Sequence, residues 1–179
     1  MLNRYKRAAL SAVVALGMGA VVAAPSPARA ELIQLGFILD GSGSITGPDW
    51  NIIRQGLATA IGSIPTAGPD QYQVTVVKFG TSASVEVAPT LITGASAVTV
   101  ANTISAMTQP GGSTNYQQAF VTMNNALIGA PGFSAAGKSY LNFATDGDPN
   151  YCISGPAGST PVAQACANAA LAILKGNGA

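Results

Sequence analysis

The sequence predicts an α/β fold: an open, mostly parallel, doubly wound sheet with helices on both faces and one antiparallel edge strand. Apolar runs of strand length alternate with segments in which apolar residues recur every three or four positions. One pair of strands is joined by only a few residues, which makes that pair an antiparallel hairpin. The remaining strands are separated by helices, the arrangement that favours a parallel sheet.

The first predicted strand spans residues 32–39, a nearly unbroken apolar run typical of a strand buried on both faces, and it ends at Asp40. A turn rich in Gly and Ser follows. A helix then begins near Thr46, with Pro48 in its first turn and Asp49 near the positive end of the helix dipole. Its apolar stripe consists of Trp50, Ile53, Leu57, Ile61 and Ile64.

The second predicted strand covers residues 72–79 and is rich in Val and aromatic residues. A turn at 80–82 connects it to a short strand at 85–87, which we expect Pro89 to stop. Two helices follow, on either side of a loop at 109–114. Their apolar residues are Val100, Ile104 and Met107 in the first, and Tyr116, Phe120, Met123 and Leu127 in the second.

The last predicted strand covers residues 139–145 and ends at Asp146. A long polar loop containing Cys152 follows it. The final helix runs from Thr160 to Lys175. The order of elements is therefore strand, helix, strand, strand, helix, helix, strand, helix.

The first thirty residues match a secretory signal peptide. Residues 1–7 are basic, residues 8–24 are apolar, and a small-x-small pattern ends at Ala30. The alternative is a transmembrane anchor, but an apolar run of 17 residues rich in Ala and Gly is short for a membrane span. We expect cleavage after Ala30, which leaves one domain at 31–179.

The charge balance changes when the signal peptide is removed. Four of the eight basic residues leave with it and all seven acidic residues stay, which gives a net charge of −3 instead of +1. No basic patch remains, which argues against nucleic acid or an anionic membrane surface as a partner. We expect an exported protein, secreted, periplasmic or on the cell surface, that does not insert in the membrane after cleavage.

Histidine is absent and cysteine is scarce, which excludes several kinds of chemistry. Neither a Ser-His-Asp nor a Cys-His nucleophile system is available to a chain without histidine. The usual zinc sites need histidine or more than two cysteines. Cys152 and Cys166 are expected to form a disulfide in an oxidising compartment, the alternative being two free, buried thiols.

Polar side chains follow or precede predicted elements at three places. Asp40, Ser42 and Ser44 come directly after the first strand, Thr114 lies in a loop before a helix, and Asp146 ends the last strand. Ligands of open α/β sheets bind at the carboxyl ends of the strands, where these residues would meet. Two carboxylates and three hydroxyls are hard oxygen ligands suited to Mg²⁺ or Mn²⁺. The alternative is that these residues only cap helices and form turns.

Three motifs carry a resemblance to a known family: Asp-Gly-Ser-Gly-Ser at 40–44, Gly-Gly-Ser-Thr-Asn at 111–115 and Thr-Asp-Gly at 145–147. In this order they resemble the three parts of the metal-ion-dependent adhesion site (MIDAS) of a von Willebrand factor A (VWA) domain. The resemblance runs from about Glu31 to Lys175 and implies a Rossmann-like sheet.

The resemblance also implies a role for each site residue. Ser42 and Ser44 would bind the metal directly, Thr114 would do so in the ligand-competent arrangement, and Asp40 and Asp146 would act through waters or as alternating direct ligands. A carboxylate of a partner would take the remaining position. Ser113 is the alternative to Thr114, which is preferred because it precedes Asn as in the family.

The chain departs from the family pattern at its C-terminal end, because family members usually have two more strands and a helix there. Without them, the strand at 139–145 is expected to expose an edge. We therefore expect a truncated form of a longer protein, or one in which another segment covers that edge.

The favoured function is a metal-dependent binding or adhesion module, without catalytic residues, that recognises an acidic group on a protein or surface partner. One alternative is a metal-dependent phosphoryl-handling or hydrolytic enzyme with Asp148 as its base. The Gly41-x-Gly43 sequence lacks the third glycine of a dinucleotide loop and the lysine of a Walker loop. The other alternative is a structural subunit of a surface or periplasmic assembly.

Overall fold

The computed structural model describes residues 30–133 and 137–178. Residues 1–29 of the predicted signal peptide lie outside the described ranges, and cleavage after Ala30 stays a prediction. Within the described ranges the chain forms six strands and four helices. They are β1 (Leu32–Asp40), α1 (Gly47–Ile61), β2 (Gln71–Phe79), β3 (Ala83–Leu91), α2 (Gly94–Ala106), α3 (Tyr116–Ile128), β4 (Lys138–Ala144), β5 (Tyr151–Cys152), β6 (Gly155–Pro156) and α4 (Thr160–Gly176).

The main sheet has four strands in the order β3-β2-β1-β4. β1 is parallel to both β2 and β4, whereas β3 is antiparallel to β2. In this register Asp40 lies beside Phe79, and Leu39 lies beside Ala144. The carboxyl ends of the three parallel strands are therefore level, and the loops that follow them leave from one edge of the sheet.

Helices cover both faces of this sheet, which confirms the predicted fold class. On one face, α1 and α2 pack against strand residues that include Leu39, Val74 and Val76. On the other face, α3 and α4 pack against Ile38 and Val77. Consecutive strand residues point to opposite faces, so buried strands supply apolar residues to both cores.

The prediction that Pro89 stops the third strand is wrong. β3 continues to Leu91, and the register with β2 shifts between the pairs Val76–Val87 and Val74–Thr90. Pro89 lies at this irregularity on an edge strand. A proline is tolerated there because its missing N–H breaks no ladder hydrogen bond.

The predicted polar loop after β4 contains a small hairpin, formed by β5 and β6. The predicted disulfide between Cys152 and Cys166 is confirmed, with Cα atoms 6.0 Å apart. It ties this hairpin to α4. At the sheet edge, β4 pairs with β1 alone among the described strands, and its Tyr140 is 57% exposed. None of the helices in the described ranges combines the length and the apolar character needed to cross a bilayer.

Candidate metal centre

The loop after β1 places the first three candidate ligands. Asp40 and Ser42 are both 0% exposed, whereas Ser44 is exposed. The Asp40 carboxylate accepts a hydrogen bond from the backbone N–H of Ser42 at 2.8 Å, which turns the chain sharply. Gly41 lies against Pro110 and Trp50, leaving no space for a Cβ. A side chain at position 41 would therefore clash with Pro110, in the loop at 109–115.

A second loop, at 109–115, packs directly on the first. The N–H of Gly43 donates to the carbonyl of Gly112 at 2.8 Å, and the N–H of Gly111 donates to the carbonyl of Gly41 at 2.9 Å. The Gln109 amide donates to the carbonyls of Ser42 and Ile45, at 3.1 and 2.8 Å. These four bonds fix the backbone that carries Ser42 and Ser44 relative to the loop that carries Thr114.

The side-chain oxygens of four candidate ligands form one continuous series of contacts. The Thr114 hydroxyl donates to Ser42 Oγ at 3.2 Å, Ser42 Oγ lies 3.1 Å from Ser44 Oγ, and Ser44 Oγ donates to Asp146 Oδ1 at 3.0 Å. Asp40 joins the series through the backbone of Ser42. The structure thus brings all five predicted residues together, although they come from three separate segments.

Ser113, the alternative to Thr114, makes different contacts. Its backbone N–H donates to the Thr81 hydroxyl at 2.8 Å, whereas it is Thr114 whose hydroxyl reaches Ser42. Thr114 is also 5% exposed. The geometry therefore favours Thr114 over Ser113 as a candidate ligand.

The environment of Asp40 fits a bound cation. Its two carboxylate oxygens accept hydrogen bonds from the Ser42 N–H and, at 2.7 Å, from the Thr145 hydroxyl. Among the described residues, the ion pairs join Lys78 to Glu86 and Lys138 to Glu31, so neither involves Asp40. A fully buried carboxylate without a cationic partner is costly, and a metal ion would supply the missing positive charge.

The donor set determines what such a cation would do. Residues 30–133 and 137–178 contain no group of three or more His, Cys, Asp or Glu side chains arranged to hold a metal, so this site has two carboxylates and relies on hydroxyls. Hydroxyl and carboxylate oxygens suit Mg²⁺ and Mn²⁺. With mostly neutral ligands, the bound ion would keep positive charge available to an anionic group.

One further residue, Tyr116, supports the site without having been predicted to do so. The Tyr116 hydroxyl lies 2.7 Å from the Thr145 hydroxyl and donates to the carbonyl of Gly147. Burial raises the pKa of Tyr116 above its ordinary value, and the nearby carboxylates, that of Asp40 foremost, also raise this pKa. Tyr116 belongs to the apolar stripe of α3. The sequence pattern therefore predicts a core residue and gives no sign of its polar contact.

The fold and the site together define a class of protein: a doubly wound α/β domain with a cluster of hydroxyl and carboxylate oxygens at the carboxyl ends of its parallel strands. The sequence model of the von Willebrand factor type A domain matches residues 34–173. The chain therefore belongs to the von Willebrand factor type A domain family. A search of curated proteins found no significant match.

Solved structures with the same fold include those of matrix and pilus proteins. Proximal thread matrix protein 1 from the mussel byssus, in the form with a zinc-occupied MIDAS motif, is 22% identical with a TM-score of 0.60, over 84% of this chain and 36% of that chain. The von Willebrand factor domain of the type V pili tip protein Mfa5 from Porphyromonas gingivalis is 15% identical with a TM-score of 0.52, over 70% and 41%. The PilB minor pilin from Streptococcus sanguinis is 22% identical with a TM-score of 0.52, over 71% and 32%. The chain thus spans between 32% and 41% of the length of these solved chains.

Proposed function

We propose that this protein is an exported binding module that holds Mg²⁺ or Mn²⁺ through Asp40, Ser42, Ser44, Thr114 and Asp146. The bound cation would capture an acidic group on a protein or surface partner. The observation that carries the proposal is the series of contacts from Thr114 through Ser42 and Ser44 to Asp146, at 3.0 to 3.2 Å. Turn residues and helix caps have no reason to converge in this way from three segments.

The helix beside the site also favours an anionic ligand. α3 begins two residues after Thr114, and its first turn contains no acidic residue. The positive end of its dipole is therefore not neutralised by its own side chains. A partner carboxylate approaching the cation would be attracted by both charges.

Export is supported by two independent features. The N-terminal sequence has the pattern of a secretory signal peptide. The disulfide between Cys152 and Cys166 requires an oxidising environment such as the periplasm or the cell exterior. The matrix and pilus proteins that share the fold have extracellular roles, which agrees with an adhesive function.

Isothermal titration with Mn²⁺ and Mg²⁺ tests the metal centre. Ser42→Ala removes the hydroxyl at the middle of the contact series and is expected to weaken binding by at least about tenfold. Ser139→Ala is the matched control, because the Ser139 hydroxyl bonds to Gln34 near the start of the strands, at the other end of the sheet. Equal metal affinity of Ser42→Ala and the wild type would refute the assignment.

The acidic-ligand part of the proposal needs its own measurement. Water proton relaxation of the Mn²⁺-loaded protein reports on water bound to the metal. Acetate is expected to displace that water and lower the relaxation enhancement, whereas the same concentration of chloride leaves it unchanged. An identical response to the two anions would contradict carboxylate recognition.

A further inference from the structure

Asn150 forms hydrogen bonds with both backbone polar groups of Thr114, its N–H and its carbonyl. The Asn150 side-chain carbonyl accepts a hydrogen bond from the Thr114 N–H at 2.8 Å. The Asn150 backbone N–H donates to the Thr114 carbonyl at 3.0 Å. One residue therefore fixes the peptide groups on either side of the Thr114 Cα, and with them the direction of the Thr114 Cα–Cβ bond.

Asn150 is itself held by the segment that follows it. Its carbonyl accepts a hydrogen bond from the Ala157 N–H at 3.2 Å, across the hairpin formed by β5 and β6. Two residues further on, Cys152 is bonded to Cys166 on α4. The position of Asn150 is thus set by a hairpin and a covalent link rather than by a free loop.

These contacts connect two of the three segments that form the candidate centre. Thr114 belongs to the loop before α3, and Asp146 lies four residues before Asn150 on the segment after β4. Without the Asn150 contact, the hydroxyl series from Thr114 to Asp146 would still exist, but the Thr114 end would lose its attachment to the segment that carries Asp146. Residues that orient metal ligands typically change metal affinity by about 10- to 100-fold.

We propose that Asn150 is a positioning residue of the metal centre, acting through Thr114. The inference rests on the proposed function, since it assumes that Thr114 contributes to metal binding. Asn150 is exposed, so its side chain is not needed to fill the core. Its role is to hold the Thr114 hydroxyl within reach of Ser42.

A double-mutant cycle on the full domain tests this role, with the Mn²⁺ dissociation constant and the melting temperature of the metal-free protein as readouts. Asn150→Ala is expected to weaken Mn²⁺ binding by about tenfold. In a Thr114→Ala background the same change should have no further effect, because the hydroxyl that Asn150 orients is gone. Asn150→Ser, whose short side chain does not reach the Thr114 N–H, serves as a second variant if Asn150→Ala does not fold.

Gln117→Ala is the matched control. The Gln117 side chain accepts a hydrogen bond from the Ile153 N–H at 2.8 Å, so it ties the same segment to α3 through a residue other than Thr114. Its Mn²⁺ affinity should stay within about twofold of the wild type, because a single local bond away from the centre is lost. Unchanged affinity in Asn150→Ala, or the same loss in the Thr114→Ala background, overturns the positioning role alone. Failure of the wild type to bind Mn²⁺ overturns the metal centre and this inference with it.

Discussion

The hydroxyl and carboxylate side chains of the candidate centre have different roles. Ser42, Ser44 and Thr114 supply neutral oxygens that contact one another, whereas Asp40 lies behind them, fully buried. Asp146 is exposed and bonds to Ser44 at the outer side. A cation held in this way would be balanced by buried charge on one side and would remain attractive to anions on the other.

The substitution Asp40→Asn removes the charge of Asp40 and nearly keeps its shape. The amide oxygen keeps the acceptor for the Ser42 N–H, and the new amide N–H can donate to the Thr145 hydroxyl oxygen once the hydroxyl hydrogen turns away. Because the change removes a buried charge that has no cationic partner among the described residues of the metal-free protein, we expect Asp40→Asn without metal to be no less stable than the wild type. The increase in melting temperature that Mn²⁺ produces in the wild type should disappear, as thermal unfolding with and without metal would show. Full retention of that increase would contradict a role for the Asp40 charge.

At the level of single residues, the sequence pattern indicates the candidate ligands but not the groups that contact them. Asp40, Ser42 and Ser44 alternate in a Gly-rich turn after an apolar strand, a pattern visible without coordinates. Tyr116 and Asn150 have no such signal. Tyr116 fits the helical apolar spacing of α3, and Asn150 lies in an irregular loop, where position depends on contacts distant in sequence.

Most of the secondary elements follow from hydrophobic periodicity, and the exceptions have local causes. β1, β2 and the four helices lie close to where their apolar spacing predicts them. β3 runs past Pro89 because an edge strand does not require that N–H. β5 and β6 are two residues each, too short for any periodic signal.

The disulfide between the hairpin and α4 is the strongest covalent constraint on these elements. Replacing both Cys152 and Cys166 with Ala removes a cross-link that spans a sequence separation of 14 residues. The chain-entropy model assigns such a loop about 3 kcal/mol of stability. Urea denaturation of the double variant should show a free energy of unfolding lower by this amount. The reduced wild type should have the same urea midpoint as the double variant. Superimposable unfolding curves for the oxidised wild type and the double variant would contradict the prediction.

In the molecule as a whole, sheet topology explains why distant residues meet. β1 lies between β2 and β4, so the segments after β1 and β4 leave the sheet side by side, and the loop before α3 packs on both. The level ends of parallel strands predict this convergence from element order alone. The backbone contacts that set the final distances, such as those between Gly43 and Gly112, come from loop packing that element order does not specify.

The two ends of the sheet have different roles. At the end opposite the candidate centre, Gln34 and Gln73 are buried, and Gln34 donates to Gln73 at 3.0 Å while Ser139 donates to Gln34 at 2.8 Å. This polar ladder joins β4, β1 and β2 and satisfies its own buried groups. The ladder helps to fix the register of these three strands. The polar groups at the carboxyl ends of the strands form the candidate cation site.

The most direct test of the central claim is a crystal structure of the protein soaked in Mn²⁺, measured at a wavelength where manganese scatters anomalously. The account predicts a single strong anomalous peak among the oxygens of Ser42, Ser44 and Thr114, with Asp40 and Asp146 bound directly or through water. A crystal in which that position stays empty of anomalous signal at saturating Mn²⁺, or in which the peak lies elsewhere on the domain, would contradict it.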